Sequence, residues 1–397
     1  MAAAFGDALG RTPAFTQVAF TDVYDRTYRA DLSGRLRSAA SGIDLLARLR
    51  HDRMRLFAEA RLGRDMAFSA SALRRHDVTP VVAQAMSPLL EDAARTIRYP
   101  RMAVTASWRG LALDVSHGYG VIARDWADVH DGLGPAAYPE ALFGGTDSTA
   151  LAVGMPLGET TRLRFAAAFE APAADDPAVL AVAGEAGSRR LGAVTLAQEG
   201  GHGGWQALLG GIVEKGMVLG GRTNGALKLA DGAATAFIAW SGDYALERLW
   251  QGKHPWRLAA GMVAAVTDPT AATDSLLRHP GTLMASPFHA EIATWDMLAA
   301  GDRLHLGLSQ PLRIEAGSIA AHVPVARDLT APGGRFRFAA QRLSLAPSGR
   351  EIDLELGYRR GLASGGALAA DLLLRRDAGH VASENDMALL VRFEKAF

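Results

Sequence analysis

The sequence predicts an all-β protein: an antiparallel, up-and-down β-barrel of about twelve strands, behind a mixed N-terminal segment that contains one helix. Three observations carry this. From about residue 149 onward, apolar and polar residues alternate in runs of about ten. Clusters of turn-forming residues separate those runs. The last run keeps its alternation to the final residue, Phe397.

The N-terminal part reads differently. In 80–98, PVVAQAMSPLLEDAARTIR, the apolar residues Val82, Ala85, Met86, Leu89, Leu90, Ala93 and Ile97 recur at helical intervals. Pro80 stands where a helix can start. The Arg-rich run at 48–75 fits strand or helix. Residues 100–119, PRMAVTASWRGLALDVSHGY, read as a strand pair turning near Gly110. The chain thus divides into an N-terminal linker, 1–98, with its helix near 81–98, and a barrel over 99–397 whose core is 149–397.

Within the barrel the runs alternate with period two, as half-buried strands do. RLRFAAAFE sets Leu163, Phe165, Ala167 and Phe169 against Arg162, Arg164 and Glu170. DRLHLGLSQ sets Leu304, Leu306 and Leu308 against Arg303, His305 and Gly307. GRFRFAAQ opposes Phe336 and Phe338 to Arg335 and Arg337. REIDLELGYRR opposes Ile352, Leu354, Leu356 and Tyr358 to Glu351, Asp353, Glu355 and Arg359, and GALAADLLLRR continues the pattern to Arg375. The intervening EAPAADDP (170–177), VARDLTAPGGR (325–335), LAPSGRE (345–351) and GLASGGA (361–367) are turn chemistry. Short and longer connections alternate, as in a meander. A strand that crosses a bilayer needs about nine to eleven residues, the length seen here, so the predicted barrel is of the outer-membrane type. Closure removes the unpaired backbone edges that lipid does not tolerate.

Composition narrows the functional classes. Forty-two basic and forty-two acidic residues leave a formal net charge of zero, so no global field favours nucleic acid. With no cysteine, disulfides, thiol nucleophiles and Cys-based zinc sites are excluded. MAAAFGDALGRTPAF lacks the basic and apolar regions of a signal peptide. No apolar run reaches the roughly eighteen residues of a transmembrane helix.

Catalytic motifs are absent: there is no GxSxG, HExxH, GxxxxGK[ST] or EF-hand loop. GGHGGW at 200–205 reads as a turn, because His202 has no carboxylate at ligand spacing. The pairs His76-Asp77 and His130-Asp131 read as loop residues. Three carboxylates, Glu351, Asp353 and Glu355, share one strand face. With Arg359, Arg375 and Arg392 they read as a luminal charge network of cross-strand pairs in a wet barrel interior. Trp205, Trp240, Trp250, Trp256, Trp295, Tyr358, Phe393 and Phe397 fall near run ends, where an aromatic girdle belongs. No catalytic residue, cofactor or metal is expected.

The closing run MALLVRFEKAF resembles the terminal strand of Gram-negative outer-membrane barrels. Leu389, Val391, Phe393 and Phe397 match its pattern, and Lys395 departs from it. More specifically, GDRLHLGLSQPLRIEAGSIAAHVPVARD, LSLAPSGREIDLELGYRRGL and LLLRRDAGH are similar to the C-terminal translocator barrel of subtilisin-like serine-protease autotransporters. FGDALGRTPAFTQVAFTDVYDRTYRADL is similar to the segment after the protease domain. The resemblance implies an outer-membrane anchor of an N-terminal passenger, with outer-membrane lipid and the barrel-assembly machinery as partners. It also implies that the helix near 81–98 threads or plugs the pore. The family's triad contexts are missing: SHGYG at 116–120 and GGTDSTA at 144–150 do not supply them. The chain is therefore expected not to be an enzyme, and to be a fragment whose passenger and signal peptide lie outside it. A soluble β-rich periplasmic protein binding an apolar ligand stays open, because alternation does not say which face points inward. A hydrolase has no motif behind it.

Overall fold

In the computed structural model the described residues are 3–8, 10–11, 17–21, 26–31, 52–62, 66–75, 98–117, 148–170, 187–221, 228–246, 254–328, 335–362 and 366–395. They form twenty strands and two short 3-10 turns, Ala3–Phe5 and Ala378–His380. In chain order the first strands are β1 (Gln17–Thr21), β2 (Thr27–Asp31), β3 (Asp52–Leu62), β4 (Met66–Arg75), β5 (Arg98–Trp108), β6 (Leu111–His117) and β7 (Ser148–Pro156). Next come β8 (Thr161–Glu170), β9 (Ser188–Gly200), β10 (Gly203–Lys215), β11 (Gly232–Ala245), β12 (Trp256–Thr270), β13 (Leu277–Arg278) and β14 (Leu283–Trp295). The last are β15 (Asp302–Ala316), β16 (Ser318–Asp328), β17 (Arg335–Ser344), β18 (Ile352–Gly361), β19 (Gly366–Arg376) and β20 (Asp386–Lys395).

Fifteen strands make one antiparallel meander, from β3 at one edge to β20 at the other. Thirteen of them, from β5 onward, fall in the expected barrel span, close to the expected count of about twelve. The other two lie before residue 99, where β3 and β4 pair with each other and β4 pairs with β5. The Arg-rich run thus forms strands of the same sheet as the barrel runs. The expected helix near 81–98 lies outside the described residues, apart from Arg98, which begins β5. No helix among the described residues is long and apolar enough to cross a membrane, which says nothing about strands.

Two connections depart from a plain meander. The hairpin β16–β17 is inserted between β15 and β18 and pairs with β13 as a separate three-stranded sheet. β1 and β2 pair with each other as a two-stranded sheet.

The connections sort by end. Links of two to six residues join β3 to β4, β5 to β6, β7 to β8, β9 to β10, β14 to β15 and β18 to β19, and these lie with the ten-residue β11–β12 connection at one end of the sheet. The connections at the other end have nine residues or more and include those that carry β13 and the β16–β17 hairpin. Turn chemistry at the short end is local. Arg109 and Gly110 join β5 to β6 with φ of 50° and 84°, the signature of a tight hairpin whose twist matches its strands. Between β14 and β15, the Asp302 carboxylate accepts the N–H groups of Met297, Leu298 and Ala299 at 2.7–2.9 Å. β20 begins after a long-end connection, so it runs toward the short-turn end.

Candidate functional site

Alternation now acquires a direction. One face of the sheet lines a cavity of about 1040 Å³, reached by Thr105 of β5, Asp114 of β6, Arg164 of β8, Gln206 of β10, Asp243 of β11 and Arg257 of β12. The sheet is therefore curled into a wall round a lumen, and "inward" means toward that cavity.

Outward positions are apolar and bare. On β12 they are Leu258, Ala260, Met262, Ala264 and Val266, alternating with Ala259, Gly261, Val263 and Ala265, which are buried. β10 and β11 present Leu209, Val213, Ile238 and Trp240; β6 and β7 present Leu111, Leu113, Val115, Leu151 and Val153. On β20, Met387, Leu389, Val391 and Phe393 are 69%, 67%, 61% and 61% exposed. Fully burying one such side chain gains about 1.5–3 kcal/mol. At this exposure β20 alone forgoes roughly 4–8 kcal/mol in water, comparable to the whole net stability of an ordinary domain. The large aromatics Trp108, Trp205, Tyr244, Trp256, Trp295 and Tyr358 gather at the short-turn end of their strands. Arg109 lies over the Trp108 ring at 5.4 Å.

The lumen has two unlike halves. Toward the short turns it is charged and paired. Arg164 meets Asp114 at 3.1 Å, and Thr105 donates to the same carboxylate at 2.5 Å. Arg257 donates to Asp243 from Nε at 2.6 Å, and Arg303 meets Glu291 at 2.6 Å. Toward the long connections it is filled by apolar side chains. Phe5, Leu219, Leu277, Leu283, Ile314, Ile319 and Leu345 are all buried in one cluster with inward residues of the wall. Charged pairs continue into this half, as in Arg375 with Glu351 and Asp353, so the apolar filling is added to the expected charged interior there.

Polar contacts fasten this filling. Glu214 receives the N–H groups of Leu219 and Gly220 at 2.6 and 2.7 Å and two bonds from Arg189 at 3.0 and 3.1 Å. The N-terminal segment docks here as well. Asp7 accepts from the N–H and hydroxyl of Ser348 at 2.8 and 2.6 Å, and Arg11 donates to the Ala346 carbonyl at 2.8 Å.

The sequence-derived residues fall as follows. Leu389, Val391 and Phe393 all face outward on β20; Phe397 lies outside the described residues, and Lys395 is the last residue of the strand. Glu351, just before β18, and Asp353 share Arg375, at 3.2 and 3.1 Å. Glu355 instead approaches His305, with Nε2 at 3.8 Å. Arg359 stands opposite Arg303 across β15 and β18, and Arg392 opposite Ala369. GGHGGW is the β9–β10 turn; Trp250 and the His76 and His130 pairs lie outside the described residues.

Sequence reading missed two histidines. His380, fully buried in the β19–β20 connection, accepts the Glu351 N–H at Nδ1 (3.0 Å) and bonds the Leu312 carbonyl through Nε2 (2.9 Å). Those partners require the neutral Nε2–H tautomer. Burial lowers its pKa to about 4, despite the opposing pull of the Leu312 carbonyl. Burial also raises the Glu351 carboxyl, outweighing the nearby Arg375. His380 lies in no motif, so nothing local could have flagged it. The second histidine, His305, belongs to a cross-strand cluster treated below.

No family model matches the chain, and no curated protein matches it. Solved structures do. The chain is similar to the loop L8 deletion mutant of OmpT, an outer membrane protein of Vibrio cholerae, at 12% identity, covering 84% of this chain and 87% of that one with a TM-score of 0.43. It is also similar to Salmonella typhi OmpF in complex with daunomycin, at 13% identity over 85% and 88% with a TM-score of 0.46. Pseudomonas putida OprB, solved at high pH, gives 14% identity over 85% and 90% with a TM-score of 0.42.

Proposed function

We propose that the protein is an outer-membrane β-barrel that anchors chain lying N-terminal to it, a translocator-type role without catalysis of its own. One observation carries the membrane reading: bare apolar side chains face outward along the wall while the charged pairs face the lumen. Lipid stabilises that arrangement and water does not. A soluble carrier of an apolar ligand needs the opposite polarity, with apolar residues lining the cavity and charges outside.

The orientation follows from the connections. In outer-membrane barrels the short turns face the periplasm and the longer loops face outward. β20 then ends on the periplasmic side. Residues 3–8 and 10–11 dock at the long-connection end through Asp7 and Arg11, so chain preceding them would leave on the cell surface. That placement supports an anchor for a surface passenger, as the resemblance to autotransporter translocators implies. The apolar filling at the same end supports a barrel held shut around its N-terminal segment.

The test is export of the chain behind an added signal peptide, with an epitope placed before Ala3. The account expects surface labelling of the epitope in intact cells and a gel mobility that changes only on boiling. Good solubility without detergent, with no mobility shift, would remove the barrel. A shift with the epitope protected inside the cell would leave the barrel and remove the anchor role.

A further inference from the structure

We propose that the inner wall carries a binding site for one first-row divalent transition-metal ion, held by His305, Glu355 and Asp371. The three residues are on β15, β18 and β19, and one ligand atom from each lies within 4.8 Å of the other two. The site is made by strand register and is independent of the anchor role.

Register explains how residues so far apart in sequence converge. His305 pairs with Gly357, which pairs with Asp371 on its other side. The neighbouring inward row runs Glu291, Gly307, Glu355. Side chains and glycines therefore alternate like the squares of a chequerboard, and the His305 ring lies over Gly357, a position that carries no side chain. Gly357 is obligatory for this: a Cβ there would sit 1.9 Å from the His305 ring.

Charge fits as well. Glu355 and Asp371 supply two formal negative charges for a divalent ion. Two guanidiniums on the same strands are engaged elsewhere, Arg303 with Glu291 at 2.6 Å and Arg375 with Glu351 and Asp353. The His305 and Glu355 side chains keep 12% and 21% of their surface open, so the pair is not sealed off from solvent.

An ion bound at about 2.0–2.1 Å to each ligand sets tetrahedral ligand atoms about 3.3 Å apart. His305 Nε2 and Glu355 Oε1 stand at 3.8 Å, so closure asks for about half an ångström there and up to about 1.5 Å across the widest pair. Rotation of the two carboxylate side chains supplies that. One imidazole with two carboxylates selects zinc, cobalt or manganese over calcium, which prefers six or more oxygens. Three protein ligands leave a position open to water.

The test titrates Zn²⁺ and Ca²⁺ into the refolded full chain in detergent, followed by calorimetry. The expectation is one Zn²⁺ per chain, no Ca²⁺ binding at the same concentration, and at least tenfold weaker Zn²⁺ binding in His305→Gln and in Asp371→Asn. Asp114→Asn, in the lumen but away from the cluster, should bind like the parent. X-ray absorption at the zinc edge of the unaltered protein reads the ligands directly and does not depend on the variants folding. One imidazole with oxygen ligands supports the site. No Zn²⁺ binding, two or more imidazoles, or unchanged affinity in a folded His305→Gln overturns it.

Discussion

Met262→Arg separates a lipid-facing wall from a soluble one by magnitude. Met262 is the middle of five apolar outward positions on β12, between Trp256 and the outward Asp268, and it is 56% exposed. Leu258 and Val266 lie four residues to either side, about 13 Å along the strand at ~3.3 Å per residue. With a tilt of about 40°, that is about 10 Å along the membrane normal, just inside the limits of an apolar band about 25 Å tall. Arginine at the midplane of such a barrel costs about 2–4 kcal/mol, and near the interface about 0–1. On the surface of a soluble protein the same change stays within about 0.5 kcal/mol at every position. The assay is reversible denaturant unfolding of the barrel refolded into lipid vesicles, for Leu258→Arg, Met262→Arg and Val266→Arg. The expected result is a cost that peaks at Met262, a roughly 30- to 1000-fold shift in the unfolding equilibrium, and falls at both flanks. Equal, small costs at all three positions would mean that this face of β12 does not lie in lipid.

Other outcomes follow from the polar contacts. His380 is neutral when folded, with its pKa lowered from 6.5 to about 4. The unfolded chain then binds the extra proton more readily, so stability is full above pH ~6.5 and falls by up to about 3 kcal/mol as pH drops toward 4. The raised Glu351 carboxyl works in the opposite sense, so comparison with His380→Gln across pH 7.5 to 4.5 isolates the imidazole, whose contribution should vanish in the variant. Glu214→Ala strips Arg189 of its closest carboxylate and leaves the Leu219 and Gly220 N–H groups unpaired; it should cost about 3 kcal/mol and speed amide exchange across 217–221. Asp302→Ala releases three turn N–H groups and should make the β14–β15 turn the first site of protease cleavage, with β12 and β14 still protected.

Much of the wall was legible because strand periodicity is written residue by residue. RLRFAAAFE, DRLHLGLSQ and REIDLELGYRR each became a strand with the expected faces. The direction of those faces was not legible, since alternation has no sign until the sheet curls. β3 and β4 were obscured by arginines that mimic a surface helix as well as a strand. The β16–β17 hairpin looked like two more wall strands; only pairing with β13 removes it from the meander. The charge ladder at 351–355 was visible, but its partners depend on register. Arg375 reaches Glu351 and Asp353, whereas Glu355 turns to His305. The His305, Glu355 and Asp371 cluster was invisible for the same reason, as it exists only once β15, β18 and β19 are aligned through Gly357.

The central claim is that the outward apolar face meets lipid, and the absence of native cysteine makes it directly measurable. Single cysteines placed at each position from Leu258 to Val266 of β12, carrying an environment-sensitive fluorophore, can be challenged with a lipid-soluble nitroxide quencher in vesicles. The account predicts strong quenching at 258, 260, 262, 264 and 266, with weak quenching at 259, 261, 263 and 265. Quenching that is uniform along the strand, or strongest at the odd positions, would contradict it.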